Sequence, residues 1–350
     1  MLNIKMLKAS CGDSIIITYG KEVSNYILLD GGIGRECFRK LVKFSKKLVE
    51  EKSKIRLLIL THTDSDHISG ILKLFTSREF DFNIVNEMWF NYGIFLNKAL
   101  NRDIKNEKNV IYLQDEGCEI SWKQGNRLEN VLKDKNILLE TVIKKLDKYN
   151  IEGAYITILS PSIEVLKEFN ENWEMENDKA AEISAEYDYS EDIEMLNAKE
   201  FVGNITLANK SSIAFLFEYE SMKILFLGDA APDEVVNSLQ ELGYSEDRPL
   251  YVDLCKISHH ASKHNTNNKL IKLIQCQNFL ISTNQTTSGR PSKECLSRII
   301  CNSDSPVKFY CNYDIRMENI FSTEEIKKYD IQFITLDEQG VEVEELYNAR

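Results

Sequence analysis

Apolar residues recur along the chain with two different spacings, one typical of β-strands and one typical of amphipathic helices. Short runs rich in isoleucine, leucine and valine, separated by turn residues, predict early strands at residues 2–7, 14–19, 25–29 and 55–60. Residues 35–51 instead place Phe38, Leu41, Leu48 and similar residues near a helical spacing. This segment therefore predicts a helix that packs one face on the sheet.

The same alternation of predicted strands and helices continues through the rest of the chain. Further strands are predicted at residues 212–219, 222–227, 252–258, 277–282 and 307–311. Further helices are predicted at residues 68–75, 232–242, 267–274 and 292–300. Strands that alternate with helices indicate an α/β protein in which helices cover the sheets.

The apolar strand at residues 55–60 is followed at once by four potential metal ligands, His62, Asp64, Asp66 and His67. A strand that is apolar along its whole length is usually buried, and polar donors at its exit lie where layered α/β proteins keep their chemistry. Imidazole and carboxylate groups together suit Zn²⁺, Mn²⁺ or Fe²⁺, whereas a structural zinc site is normally built from cysteine thiolates. None of the eight cysteines lies in a CxxC pair. The pattern therefore predicts an open, hydrolytic metal site.

Length and composition agree with an enzyme of this kind. The 350 residues, 43% of them hydrophobic, can bury a sizeable core in one large domain. No apolar run approaches the ~20 residues that a membrane span needs, and the N-terminus lacks the pattern of a signal peptide. Scattered cysteines fit reduced thiols better than a disulfide framework. We therefore expect a cytoplasmic protein without a membrane segment.

Five segments, taken in order, resemble the motifs of a known family. Residues 12–17 begin Gly-Asp-Ser, residues 26–32 contain Asp30, and residues 62–67 read His-x-Asp-x-Asp-His. Later in the chain, residues 223–230 contain Gly-Asp and residues 255–263 contain His-His. This series resembles metallo-β-lactamase-fold hydrolases, specifically the branch similar to the soluble hydrolase domain of the DNA-uptake protein ComEC. The resemblance implies an α/β fold of the αββα four-layer sandwich type with insertions.

The resemblance also implies a set of ligands for one or two divalent ions, Zn²⁺ or Mn²⁺. His62 and Asp64 would hold the first metal, Asp66 and His67 the second, and Asp229 would bridge the two. Either His259 or His260 would complete the second site, and its neighbour would contact substrate or phosphate, since adjacent residues cannot usually reach one ion from a strand end. The sequence leaves open which of the two histidines is the ligand.

Further roles follow from the same resemblance. Asp66 and Asp229 would orient a metal-activated hydroxide, and a protonated His260 or Lys263 would assist the leaving oxygen. Predicted substrate contacts are Ser262, Lys263 and Arg290, and Lys256 and Arg298 are further cationic candidates near the mouth of the site. Asp13 and Asp30 would support the ligands from behind. His264 is interpreted as an ordinary surface histidine.

Three departures from the family pattern bear on activity. No histidine occurs between His67 and His259, where many of these enzymes supply another ligand, so the first metal would have only His62, Asp64 and Asp229. Ala261 replaces the glycine that usually follows the His-His pair. Arg290 stands where the branch has a histidine, and arginine can clamp phosphate but cannot serve as an acid at neutral pH.

Charge and organisation set the remaining expectations. The net charge is −12, and residues 164–200 alone carry thirteen acidic and three basic side chains, which predicts a solvated flap or an acidic lid that docks on a basic partner. Residues 93–150 are predicted to form an insertion in a single domain spanning residues 1–350. An acidic total argues against avid binding to a long duplex, although a nucleotide or a single-stranded end would need fewer contacts.

Three function classes remain after this reasoning. The leading one is a phosphodiesterase or nuclease that acts on nucleic acid or nucleotides through the metal-activated hydroxide. The second is a hydrolase of another ester, amide or lactone, because the same hydroxide also attacks carbonyl groups. The third is a non-catalytic or partner-activated subunit of a multi-protein system, which could belong to bacterial defence. Fold alone does not decide among them.

Overall fold

The computed structural model describes residues 1–100, 121–135, 137, 141–176, 187–286 and 289–349. Its strands are β1 Leu2–Met6, β2 Ile15–Tyr19, β3 Asn25–Leu29, β4 Ile55–Ile59, β5 Met88–Trp89, β6 Lys148–Ile151, β7 Ala154–Ser160, β8 Ala214–Tyr219, β9 Met222–Phe226, β10 Leu250–Tyr251, β11 Leu254–Lys256, β12 Ile274–Gln275, β13 Asn278–Ile281, β14 Val307–Cys311, β15 Ile331–Thr335 and β16 Val341–Glu342. Its helices are α1 Arg35–Glu50, α2 Ser65–Thr76, α3 Gly93–Ala99, α4 Ser121–Asp134, α5 Ile163–Glu176, α6 Ile193–Ala198, α7 Leu207–Lys210, α8 Pro232–Glu241, α9 Asn268–Lys272, α10 Lys293–Asn302, α11 Thr323–Tyr329 and α12 Val343–Asn348.

The longer strands form two mixed sheets. The first has six strands in the order β16-β1-β2-β3-β4-β5, and the second has eight in the order β15-β14-β13-β11-β9-β8-β7-β6. In the first sheet β3 and β4 are parallel, and in the second β9, β11, β13, β14 and β15 are parallel. A separate parallel pair joins β10 to β12.

Three apolar layers hold the sheets and helices together. One joins the facing surfaces of the two sheets and includes Tyr19, Phe217 and Phe226. The second packs helices against the outer face of the first sheet, and the third does so for the second sheet. Each sheet is therefore covered by helices on one face and by the other sheet on its other face. The αββα four-layer sandwich predicted from the sequence is confirmed.

Helix α1 illustrates how the sequence produces this packing. Its buried residues recur at helical spacing and form one face: Cys37, Leu41, Val42, Ser45 and Leu48. The helix that follows the metal-binding motif begins at Ser65, three residues before the predicted start at residue 68. Asp66 and His67 therefore lie in the first turn of α2 and not in a free loop, because Asp64 keeps an extended backbone and the helix starts directly after it.

The sequence analysis missed the hairpin of β6 and β7. Residues 154–160 are rich in isoleucine and tyrosine and follow a turn at Gly153, which is the usual signal of a hairpin strand. The predicted insertion at residues 93–150 includes α3 and α4, and its last residues belong to β6 at the edge of the second sheet. The boundaries of that insertion stay a prediction, and residues 101–120 lie outside the described part.

Part of the predicted acidic flap is regular structure. Helix α5 occupies its start and α6 its end, whereas residues 177–186 lie outside the described residues. The Asp188 carboxylate accepts hydrogen bonds from the backbone N–H groups of Lys293 and Glu294 at the start of α10. This contact fixes the chain at residue 188 to the second sheet's helical layer. Within the described ranges, no helix combines the length and hydrophobicity needed to cross a membrane.

Candidate metal centre

The predicted ligands are brought together because each follows a strand that ends at the same edge of the sandwich. In the first sheet, Asp30 follows β3 and the His62–His67 segment follows β4. In the second sheet, Asp229 follows β9 and the His-His pair follows β11. Carboxyl ends of parallel strands are the usual place for a binding site in an open α/β sheet. Both halves of the sandwich therefore contribute to one cluster.

Asp229 lies at the centre of this cluster and is only 1% exposed. Its Oδ2 atom lies 3.7 Å from His62 Nε2 and 3.5 Å from His259 Nε2. Its Oδ1 atom lies 3.5 Å from His67 Nε2. The two carboxylate oxygens thus face different histidines, as a carboxylate between two ions would.

Two of the imidazoles are oriented by oxygen atoms behind them. His67 Nδ1 lies 2.7 Å from Asp30 Oδ2, and His260 Nδ1 lies 2.7 Å from the carbonyl oxygen of Ser282. Since these oxygens accept a hydrogen bond, each Nδ1 is the protonated nitrogen in the neutral ring. The Nε2 lone pair of each ring is left free to bind a cation.

The other two imidazoles are also oriented by an oxygen atom beside Nδ1. His259 Nδ1 lies 2.8 Å from Asn265 Oδ1. His62 Nδ1 lies 3.0 Å from Thr61 Oγ1, whose hydroxyl donates to Asp30 Oδ2 and so accepts from the ring. All four histidines therefore present an Nε2 lone pair to the cluster.

Several buried polar atoms in the cluster lack a hydrogen-bond partner among the described residues: His62 Nε2, His67 Nε2, His260 Nε2, Asp229 Oδ1 and Asp229 Oδ2. Buried polar atoms without a partner are uncommon because their desolvation is not offset. The 3.5–3.7 Å separations around Asp229 are too long for good hydrogen bonds. They are close to the ~3.4 Å that separates ligands placed tetrahedrally at bonds of about 2.0–2.1 Å. The cluster fits metal ions.

The donors divide into two groups around Asp229. In one group His62 and His259 both face Asp229 Oδ2, and Asp64 Oδ2 lies 3.6 Å from His62 Nε2. The other group contains Asp66, His67 and His260, whose Nε2 lies 3.2 Å from Asp66 Oδ2. His62 also lies within 4.8 Å of donor atoms of His67 and Asp229, so the two groups adjoin. Asp64 is 29% exposed and Asp66 19% exposed, so both groups reach the opening of the site. Each group could hold one ion.

The electrostatic field of the cluster favours positive charge. Burial opposes protonation of His67, but the carboxylates of Asp229, Asp30 and Asp66 outweigh it and raise the His67 pKa well above its ordinary value. Burial likewise opposes ionisation of Asp229, but the surrounding histidines, first His259 and then His67, hold its pKa well below the ordinary range. Carboxylates that stay ionised when buried are suited to bind cations.

The adjacent histidines separate because of an unusual backbone. Strand β11 leads into a short left-handed turn in which His259 has φ 49° and His260 has φ 56°, and Ala261 continues the left-handed region at φ 65°. This backbone directs His259 towards Asp229 and His260 towards Asp66. Both Nε2 atoms therefore face carboxylates of the cluster, and the prediction that one histidine binds a metal while the other contacts substrate stays a prediction.

Asp30 and Asp13 contact candidate ligands from the side away from Asp229, and their supporting role stays a prediction. Asp30 accepts from Thr61 N–H at 2.8 Å as well as facing His67. Asp13 Oδ1 lies 3.6 Å from His260 Nδ1, and its Oδ2 lies 2.7 Å from the Lys256 ammonium. Burial would raise the pKa of Asp13, but the Lys256 charge outweighs it and lowers that pKa.

Glycine is required where the Asp13 loop meets the metal-binding motif. A Cβ atom on Gly12 would lie 1.8 Å from the carbonyl oxygen of Asp66. The carbonyl of Gly12 also accepts a hydrogen bond from Ser282 Oγ at 2.6 Å. This close approach gives a physical reason for the Gly-Asp-Ser motif: only glycine lets the first loop pass beside the start of α2.

The three predicted substrate contacts differ in their burial and in their contacts. Arg290 is half-buried; burial, and to a smaller extent the charge of Arg290, lower the pKa of His259 to about 4 against the attraction of Asp229. Ser262 is buried, and its hydroxyl accepts from the His264 N–H. No described contact joins the Lys263 ammonium to the cluster. The roles of Ser262, Lys263 and Arg290 in substrate binding stay predictions.

Two cationic residues that were predicted near the mouth of the site are buried instead. Lys256 is 1% exposed and bonded to Asp13, so it lies beneath the cluster and cannot meet substrate from solvent. Arg298 is 1% exposed, and it donates to the carbonyl oxygens of Lys263 and Thr266. Sequence proximity placed them at the mouth, but both lie on buried faces of their elements. His264 donates from Nδ1 to Val202 O at 2.7 Å, away from the cluster.

Sequence reasoning missed three polar residues that position the ligands. Thr61 joins Asp30 to His62, and Ser212 Oγ accepts from the backbone N–H of Asp229 at 3.0 Å. Asn265 contacts His259 with its oxygen and donates from its amide nitrogen to the Asp229 carbonyl at 2.9 Å. Thr61 directly precedes the motif at residues 62–67, and Asn265 closely follows the segment at residues 255–263. This proximity was the one sequence signal that could have indicated their positioning role.

Comparisons with known proteins give fold neighbours only. No protein-family model and no curated protein matches the chain. Similar solved structures include CmlA, a diiron β-hydroxylase from Streptomyces venezuelae, at 11% identity and TM-score 0.42, covering 95% of this chain and 53% of CmlA. Zn²⁺-bound PqqB from Methylobacterium extorquens shows 11% identity and TM-score 0.41, with 93% of this chain and 85% of PqqB covered. YhfI from Bacillus subtilis, a metallo-β-lactamase-fold protein, shows 9% identity and TM-score 0.36, with 97% and 98% covered.

The chain spans about half the length of CmlA. The architecture and the cluster together define the class of protein: an αββα sandwich with a candidate metal centre at one edge. Within that class, the arrangement of four histidines and two aspartates around Asp229 is the feature from which a function can be argued.

Proposed function

We propose that the protein is a metal-dependent hydrolase that cleaves phosphodiesters in nucleic acid or nucleotides. The observation that carries the proposal is the set of buried Nε2 and carboxylate oxygen atoms that converge around Asp229 without hydrogen-bond partners. These atoms need a cation to offset their desolvation. An open metal site in a protein of this architecture is suited to hydrolysis.

The proposed ligands divide as the geometry does. His62, Asp64 and His259 would hold one ion, and a second set of Asp66, His67 and His260 would hold the other. Asp229 would offer one oxygen to each. In this assignment His259 is the additional histidine of the first site, for which the sequence offers no candidate between His67 and His259. Nitrogen and oxygen donors of this kind suit Zn²⁺ or Mn²⁺.

Divalent ions in such a pair lower the pKa of a bound water towards neutrality and offset the charge of a phosphodiester. Asp66 and Asp64, which are partly exposed, would orient the attacking water by accepting its hydrogen bonds at the mouth of the site. Asp30 and the Ser282 carbonyl would hold His67 and His260 in the tautomer that keeps Nε2 unprotonated.

Arg290 favours a phosphate substrate. The charge of Arg290 acts on His259 at the cluster, and a guanidinium can bind two phosphate oxygens at once. An arginine cannot serve as an acid at neutral pH, so Arg290 would position the substrate. Lys263 or water would then supply the proton to the leaving oxygen. The branch resemblance to the ComEC hydrolase domain favours the same substrate class.

The first experiment measures metal content and turnover together. Protein purified without chelators is analysed for metal by mass spectrometry, and hydrolysis of bis-p-nitrophenyl phosphate and single-stranded DNA is assayed with added Mn²⁺ or Zn²⁺. We expect up to two ions per chain and a loss of turnover of at least a hundredfold in Asp66→Ala. The matched control is Asp247→Ala, an exposed aspartate outside the cluster.

Two results would contradict the proposal. Bound metal without turnover of either substrate moves the function to another ester, amide or lactone, or to a subunit that needs a partner. Protein that binds no metal under any condition removes the assignment of the site itself.

A further inference from the structure

A second feature of the molecule is a basic groove between α1 and the outer face of the first sheet. The groove has a volume of about 820 Å³ and two acidic lining residues, Glu50 and Glu338. Its six basic lining residues are Lys5 from β1 and Arg39, Lys40, Lys43, Lys46 and Lys47 from α1. A chain with a net charge of −12 therefore concentrates positive charge in one concave place.

The basic residues of α1 form a stripe because of their spacing. Arg39, Lys43 and Lys47 follow one another at four-residue steps, and Lys40 and Lys46 flank the same row. From the first to the last of these the stripe extends about 12 Å at 1.5 Å per residue. The apolar face of the helix packs on the sheet, so this row borders the groove.

The positive charges are only partly compensated within the described residues. Three of the six basic residues contact glutamates: Lys40 contacts Glu36 and Glu338, Lys46 contacts Glu79, and Lys47 contacts Glu51. The other three, Lys5, Arg39 and Lys43, make no ion pair among the described residues. Burial and the neighbouring Lys40, Lys43 and Lys47 lower the pKa of Lys5, although Glu338 acts in the opposite direction. Like charges at this spacing repel, and an anionic ligand would relieve the repulsion.

The groove reaches the edge of the sandwich that carries the candidate metal centre. Strand β1 is antiparallel to β2, and β2 to β3, so β1 ends at the same edge as β3, where Asp30 lies. The groove is lined at that end by Leu7, which directly follows β1, and by Arg39 in the second turn of α1. A chain bound in the groove could therefore continue towards the site.

We propose that this groove binds the sugar–phosphate backbone of a single-stranded nucleic acid. A groove lined with cations follows successive phosphates, and the rings of Tyr26 and Phe44 add apolar wall beside them. Its concave shape fits an extended strand better than a flat lipid surface. The inference rests on the proposed function for its role in delivering substrate, but the binding itself does not require the metal centre.

The test measures binding in the absence of metal. A fluorescein-labelled dT20 oligonucleotide is titrated with the full chain in EDTA, and fluorescence anisotropy is recorded from 50 to 200 mM salt. The groove variant is Lys43→Glu/Lys47→Glu. The control is Lys269→Glu/Lys272→Glu on α9, which makes the same charge change; Lys47 and Lys272 each lie 3.7 Å from a glutamate.

We expect the groove variant to bind at least tenfold more weakly and the control less than twofold more weakly. The dependence of log Kd on log salt should fall by about 1.4 in the groove variant, at about 0.7 per lost phosphate contact. Absence of binding by the native protein at 50 mM salt overturns the inference, and so does equal weakening in both variants. Binding to phosphatidylserine vesicles in place of the oligonucleotide also overturns it.

A small substrate separates this inference from the proposed function. Bis-p-nitrophenyl phosphate is too small to need the groove, so the groove variant should hydrolyse it as the native protein does, while its KM for single-stranded DNA rises. Turnover of the small substrate without oligonucleotide binding overturns the groove and leaves the hydrolase. Oligonucleotide binding without any turnover leaves the groove and overturns the hydrolase.

Discussion

His259 and His260 show how a backbone conformation can alter the role expected of a residue. Residues with β-carbons rarely adopt positive φ, and each such residue costs of order 1–3 kcal/mol unless its surroundings hold it. Here two neighbouring residues, His259 and His260, have positive φ, and their imidazoles reach carboxylate oxygens of Asp229 and Asp66. The energy needed for this conformation is consistent with a site in which both rings are required.

Single substitutions can test this division. We expect His259→Ala to remove the ion beside His62 and His260→Ala to remove the ion beside Asp66, so each variant should retain about one ion per chain by mass spectrometry. His264→Ala is the control, because its ring contacts the Val202 carbonyl and not the cluster. Two ions retained in His259→Ala would show that this histidine is not a ligand.

At the scale of elements, the sequence predicted those parts whose signals are local. The strands around β3 and β4 and helix α1 were found because apolar periodicity and nearby turns define them. The hairpin of β6 and β7 was overlooked despite its isoleucines, and α11 also lay outside the prediction. The four candidate ligands after β4 could be recognised because they lie within six consecutive residues. The approach of His259 to the same oxygen of Asp229 that His62 faces could not be predicted, because it depends on positive φ angles that ordinary residues rarely adopt.

Glu325 links three elements and should affect stability as a function of pH. It accepts from Ser322 N–H in the capping box of α11, from the Lys293 ammonium at the start of α10, and from Ile193 N–H at the start of α6. Burial would raise the pKa of Glu325, but the Ser322 N–H and Lys293 outweigh it and lower that pKa below its ordinary value.

A carboxyl group whose pKa is lower in the folded state stabilises the fold above its unfolded pKa of about 4.3 and loses this effect as pH falls through the folded value. We expect Glu325→Gln to lower the free energy of unfolding at pH 7 by about 1–3 kcal/mol. The difference from the native protein should shrink when urea denaturation is repeated at pH 3. Glu324→Gln, an exposed neighbour, should change stability little. A constant difference across this pH range would contradict the assignment.

At the scale of the whole molecule, the candidate centre connects the two sheets. Its ligands follow β4 in the first sheet and β9 and β11 in the second. An ion bound by residues from both sheets would bind the folded chain and not the unfolded one. It would raise the free energy of unfolding by about 2.7 kcal/mol at a metal concentration one hundred times its Kd.

Removal of metal should therefore lower thermal stability. We expect EDTA to reduce the Tm by several degrees in differential scanning calorimetry and added Mn²⁺ or Zn²⁺ to restore it. The same treatment should change the Tm of Asp229→Ala much less, because that variant lacks the carboxylate shared by the two sets. An unchanged Tm in the native protein would argue against ions that join the sheets.

The division of donors around Asp229 also has a consequence for the order in which ions load. The group of Asp66, His67 and His260, which we call the inner position, is backed by Asp13 and Asp30, and its Asp66 is 19% exposed. The other group, the outer position, is more open to solvent because its Asp64 is 29% exposed. The inner position should fill first and exchange slowly. The outer ion, repelled by the first across one carboxylate, should enter later and leave sooner. A calorimetric isotherm would then show two inflections, and the occupancy of the outer position would follow the free metal concentration around the protein.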